Sequence, residues 1–231
     1  MPEIPDTVAR ATGGLFKALS AARGKRAFHP HGVVFEATFT PYVRSAKTGV
    51  ELLDGGERRA LVRCSRALGL PEPVPDILGF AIRFPDAYGP GAHQDLLTVT
   101  SFDAPLAHHA LVPATGFFER PYSTLLAFRL PEGIRLFGVL PLGSGPALGP
   151  RLEQIAEAAE RGTATFELAL SPLNGRFDGV GMIVLGERLP RAEGERLRFN
   201  PQYSGGGIRP AGPLQGLRDP AYRGSQAGAA R

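Results

Sequence analysis

Arg26-Ala27-Phe28-His29-Pro30-His31-Gly32 runs directly into Val33-Val34-Phe35-Glu36-Ala37-Thr38-Phe39-Thr40. In the second half, Val33, Phe35, Ala37 and Phe39 fall on one side and Val34, Glu36, Thr38 and Thr40 on the other. A period of two marks a strand with one buried face, so the chain is predicted to enter its core here. The first half sets a cation, an imidazole and a glycine in the spacing Arg-x-x-His-x-x-Gly. A histidine at the mouth of a buried face can shuttle a proton, ligate a metal or simply sit hydrogen-bonded. This stretch alone leaves all three open.

The same alternation recurs outward from it. Ala60 to Ser65, Gly79 to Phe84, Asp95 to Ser101, Thr124 to Leu130, Arg135 to Leu140, Thr165 to Leu170 and Gly179 to Gly186 all read as strands. Helices are fewer. Asp6 can cap one within residues 1–24, with Val8, Ala11, Leu15 and Leu19 at helical spacing. Arg151 to Arg161 is the clearest, its stripe formed by Leu152, Ile155, Ala156 and Ala159 and its end marked by Gly162. Many strands, few long helices, 30 glycines and 22 prolines predict a β-rich antiparallel barrel or strongly curled sheet with helices packed outside. A length of 231 residues suits one domain, 1–231, with 200–231 as a C-terminal segment of different character.

A hydrophobic content of 43% and charged content of 21% are those of a soluble globular protein. The formal charge of +4 comes from scattered arginines with no basic stripe, which argues against nucleic acid. Cys64 stands alone, so no internal disulfide forms and a reducing, cytoplasmic setting is expected. Its place on an alternating strand makes it a small buried side chain rather than a nucleophile. Met1 to Arg10 lacks a signal-peptide core and no apolar run reaches membrane-spanning length, so no membrane partner is expected. The sequence admits a homo-oligomer.

Three further features carry chemistry. Leu61, Arg63 and Ser65 share a face of their strand; a buried arginine there requires an anionic partner, and the alternative is a solvent face. His108-His109 resembles a metal pair, but adjacent residues point apart on a strand and no cysteine or carboxylate stands at zinc-like spacing. Ser204-Gly205-Gly206-Gly207 lacks a P-loop lysine and reads as a connector.

Taken in order, these fragments resemble the haem-dependent catalase superfamily, over residues 26 to 222. The Arg26-to-Gly32 segment, Val62-Arg63-Cys64-Ser65 and Gly79-Phe80-Ala81-Ile82-Arg83-Phe84 are similar to three of its strand motifs. Phe199-Asn200-Pro201, Gly207-Ile208-Arg209-Pro210, Leu214-Gln215-Gly216 and Arg218-x-x-x-Tyr222 are similar to its approach to the proximal helix. The resemblance implies a catalase-like closed antiparallel β-barrel with flanking helices, binding haem b (iron protoporphyrin IX). By the same likeness His29 is the distal histidine, oriented by Ser65. Arg26 and Arg63 pair the propionates, Tyr222 is the axial iron ligand, and Arg218 keeps its phenolate charged.

The family's asparagine after Asp-Leu is expected at Thr100, and the phenylalanine pair that follows it is replaced around Ala104-Pro105-Leu106. The chain is also shorter than a typical catalase, without room for its extra helical domain. The function implied is therefore a minimal catalase-like peroxidase acting on hydrogen peroxide or an organic hydroperoxide. The alternative is a barrel of the same fold that has lost haem chemistry and binds a small ligand or a partner.

Overall fold

The computed structural model describes residues 31–43, 47–71, 74–143 and 151–212. Its strands are β1 (His31–Pro41), β2 (Arg58–Arg66), β3 (Leu78–Phe84), β4 (Gln94–Thr100), β5 (Tyr122–Ser123), β6 (Phe128–Leu130), β7 (Gly133–Pro141), β8 (Thr165–Ser171), β9 (Asp178–Arg188) and β10 (Arg209–Pro210). They pair antiparallel in the order β7-β5-β4-β3-β2-β1-β9-β8, and β8 pairs back onto β7. The sheet is thus an eight-stranded closed barrel, which removes the free edges an open sheet would leave. β6 and β10 continue from β7 as a small flap.

Period-two alternation fills the barrel. Phe35 and Phe39 of β1, Val62 and Cys64 of β2, Phe80, Ile82 and Phe84 of β3, and Phe166 and Leu168 of β8 all point inward and are buried. The Phe80 ring lies 4.6 Å from Phe166 and 5.5 Å from Tyr122. Eight strands enclose just enough space for side chains, and here rings occupy it, so a ligand surface is to be sought on the outside. Cys64 is wholly buried and burial drives its thiol pKa far up, which makes it inert as anticipated. Among the described residues, three short helices accompany the barrel: α1 (Glu51–Asp54), α2 (Leu152–Glu160) and α3 (Arg191–Gly194). α2 buries Ile155, Ala156, Ala158 and Ala159 and packs against β9 and β1. The helix expected in residues 1–24 lies outside the described residues.

Two strands differ from their sequence reading. Thr124 to Leu130 is not one strand: β5 stops at Ser123 and β6 begins at Phe128, because Leu125 adopts a φ of 58°. Ser123 Oγ accepts the Leu125 amide at 3.0 Å, and His109 Nδ1 donates to the Leu125 carbonyl at 2.9 Å. Propensity alone does not report such a side-chain-capped break. In β9, where alternation puts Val180, Met182 and Val184 in line, the register shifts opposite Leu168 and Ala169, so Ile183 and Leu185 face the core while Met182 and Val184 are half-buried.

His108 and His109 lie in a 3-10 turn (Ala107–His109) that packs against β5. His108 is fully buried, its Nε2 donates to the Leu173 carbonyl at 3.0 Å, and its Nδ1 has no hydrogen-bond partner. Burial lowers its pKa, with His109 adding to the effect and the Leu173 bond and Asp103 opposing it. The native ring therefore stays neutral where an unfolded histidine, with a pKa of about 6.5, takes a proton. The unfolded state then binds more protons, and stability falls as the pH drops below about 6.5. Replacing His108 with Gln is expected to flatten the pH dependence of the melting temperature between about pH 7 and pH 5, measured by thermal unfolding. Parallel curves for the two proteins would contradict this.

Candidate functional site

Antiparallel register places the outward side chains of β1 to β4 in rows across the barrel wall. The first row is Gly32, Ser65, Gly79 and Val99; the second is Val34, Arg63, Ala81 and Leu97; the third is Glu36, Leu61, Arg83 and Asp95. Two glycines, a serine and an alanine keep the first two rows low, and Val34, Leu97 and Val99 make the remainder apolar. The result is a shallow floor of small and apolar groups with one guanidinium rising from it.

That guanidinium belongs to Arg63, and it lies across Gly32. A Cβ added at Gly32 would stand 2.7 Å from both Cζ and Nη2 of Arg63 and 2.9 Å from the Cys64 carbonyl oxygen. The glycine that closes the Arg-x-x-His-x-x-Gly spacing is thus required by the arginine on the neighbouring strand. Burial pulls the pKa of Arg63 below the ordinary guanidinium value, and the charge of Arg198 nearby adds to the effect. Arg63 is half-buried, and its planar guanidinium is of the kind that pairs with a carboxylate. Ser65, one row away and on the same face, is buried. The sequence left open whether Leu61, Arg63 and Ser65 face core or solvent; they face outward from the barrel, with Leu61 and Ser65 nonetheless covered.

The chain after β9 supplies part of that cover. The Leu189 amide donates to the Val34 carbonyl at 2.8 Å, and Gly194 of α3 packs against the Val34 side chain. Farther along, the Arg198 carbonyl accepts from Arg83 Nη2 at 2.5 Å, the Asn200 amide donates to Asp95 Oδ2 at 2.7 Å, and the Asp95 amide donates to the Tyr203 carbonyl at 2.8 Å. Residues 189–203 therefore form a strap running from β1 to β4 along the third row.

Thr100 does not join this face. It lies on the inner side of β4 with Leu96 and Thr98, completely buried, accepting the Leu78 amide at 3.1 Å and donating to the Val112 carbonyl at 2.6 Å. The residue in the row of Ser65 is Val99. One residue of offset exchanges the faces of a strand, and Leu96, aligned with the inward Ile82, already carried the signal that its period-two partner Thr100 points inward. His29, Arg26, Arg218 and Tyr222 lie outside the described residues, so of the expected site only Arg63 and Ser65 are brought together. His29 precedes β1 by two positions in the sequence. Among the described residues no three His, Cys, Asp or Glu side chains gather as a metal site, and no helix is long and apolar enough to cross a membrane.

The same architecture occurs in solved structures. A bacterial catalase superposes with a TM-score of 0.62 at 14% identity, over 98% of this chain and 61% of that one. A crystal structure of a fungal catalase superposes with a TM-score of 0.57 at 15% identity, over the same shares of the two chains. The fold is therefore catalase-like, and the chain spans about three-fifths of the length of the catalases it matches. No protein-family model and no curated protein sequence matches it.

The Gly32–Arg63 contact makes a direct prediction. Gly32→Ala is expected to displace the Arg63 guanidinium while the barrel stays folded, seen in a crystal structure of the variant as a changed Arg63 rotamer. An unmoved guanidinium would show that the close approach does not constrain the arginine.

Proposed function

We propose that the chain is a haem-dependent, catalase-like peroxidase acting on hydrogen peroxide or an organic hydroperoxide, with the outer face of β1 to β4 as one wall of the haem site. The observation that carries this reading is the Arg63 guanidinium lying across Gly32, on the same outward face as Ser65 and immediately beyond Arg26-x-x-His29. The residues suit the group. A planar, dianionic macrocycle needs a flat apolar surface and a fixed cation at its edge, and this wall offers both.

On this reading Arg63, with Arg26, binds the propionate carboxylates. Tyr222 would ligate the iron, and Arg218, four positions earlier in the sequence, would keep its phenolate deprotonated. Bound haem supplies the oxidation–reduction chemistry of peroxide cleavage. The protein's own contribution is proton handling. His29 takes the proton from the attacking peroxide oxygen and returns it to the leaving oxygen, while the Ser65 hydroxyl holds the imidazole in the orientation that allows both transfers. On β4 the outward residues of this wall are Val99 and Leu97, neither of which donates a side-chain hydrogen bond, which suits a peroxidase more than rapid turnover of two peroxide molecules.

The test is haemin added to the purified protein. A ferric spectrum of tyrosinate-ligated haem is expected, lost or strongly shifted in Tyr222→Phe. His29→Ala is expected to keep its haem and lose about 100- to 10,000-fold in peroxide turnover. Absence of uptake, or a spectrum indifferent to Tyr222→Phe, would overturn the assignment.

A further inference from the structure

We infer that the buried Arg83–Asp95 pair is a positioning device that holds residues 198–203 against the barrel and so sets the approach of the C-terminal segment to the proposed haem site; the second half of this rests on the function proposed above. Arg83 and Asp95 face one another across β3 and β4 in the third outward row. Their contact is bidentate, Nε to Oδ1 at 2.8 Å and Nη2 to Oδ2 at 2.6 Å, with the carboxylate wholly buried.

What the pair touches beyond itself decides its role. The same Nη2 donates to the Arg198 carbonyl, and the same Oδ2 accepts the Asn200 amide. The guanidinium lies over the ring of Phe199 at 5.0 Å and that of Tyr203 at 5.5 Å, and the Asp95 backbone amide is bonded to the Tyr203 carbonyl. All these contacts end on residues 198–203, more than a hundred positions away along the chain for Arg198 and Asn200. The hydrogen bonds to the strap grip its backbone, which fixes the path of the chain there.

A buried ion pair is a poor source of net stability, because desolvation offsets most of the attraction. Burial indeed raises the Asp95 carboxyl above its usual range, against the pull of Arg83 and the Asn200 amide. The barrel closes through β7 and β8 without the pair. What the pair contributes is location. Immediately after it, the chain turns around the Tyr88 ring, where Gly206 and Gly207 adopt φ of 51° and 96° and a Cβ at Gly206 would fall 2.2 Å from Tyr88 Cε1. It then pairs as β10 with β6 at Arg209–Arg129. The chain is thus held in place as far as Pro210.

The test compares wild type with Arg83→Met/Asp95→Leu, a double substitution that leaves no orphaned charge in the wall. Amide hydrogen exchange of the ligand-free proteins and haemin dissociation of the loaded proteins are both followed. At least tenfold faster exchange in residues 198–203, unchanged exchange in β1 to β4, and at least tenfold faster haemin dissociation are expected. Unchanged exchange in 198–203, exchange lost throughout the barrel, or dissociation unaffected by a loosened strap would each overturn the inference. Should wild type take up no haemin, the function proposed above fails instead, and the exchange result alone upholds or overturns the anchor.

Discussion

Pairing of β1 with β2 at Gly32–Ser65 fixes which side of the wall every neighbouring residue faces. Because strand side chains alternate strictly, one register decides the whole outer surface of β1 to β4. It sends Phe35, Val62, Phe80 and Leu96 inward to fill the barrel and leaves Arg63, Ser65, Arg83 and Asp95 outside. A slip of one residue would bury the charges and expose the rings. Packing of the aromatic interior therefore holds the polar exterior in place, although the two share no chemistry.

The arginines of that exterior illustrate two uses of one side chain. Arg83 is matched by a carboxylate of the chain itself and turns its remaining donor and ring faces to the strap. Arg63 is bent over a glycine in a floor of small residues, with Arg198 as a like charge nearby. The first arrangement ties the strap to the barrel, and the second fixes a glycine on the neighbouring strand.

Much of this was legible in the chain. Strict alternation located seven of the eight barrel strands, and the Arg63–Ser65 spacing put both groups on one face, leaving open whether that face was core or solvent. The interrupted stretch around Leu125 was not legible, because the break depends on His109 reaching a carbonyl that only the folded chain brings near. Thr100, expected in the site by likeness of motif, faces inward, as its period-two relation to the inward Leu96 requires. The link between Gly32 and Arg63 crosses two strands, so no local pattern records it. For the same reason Arg83 reads in sequence as one more residue of a strand, although its partners lie at Asp95 and Arg198.

The haem site proposed for the outer wall rests on Arg63 at its edge. Its most direct measurement is haem stoichiometry by the pyridine haemochrome assay, after incubation with haemin and gel filtration, for wild type and Arg63→Glu. One haem per chain in wild type and little in the charge-reversed protein is the predicted result. Equal retention by both, or none by either, would contradict it.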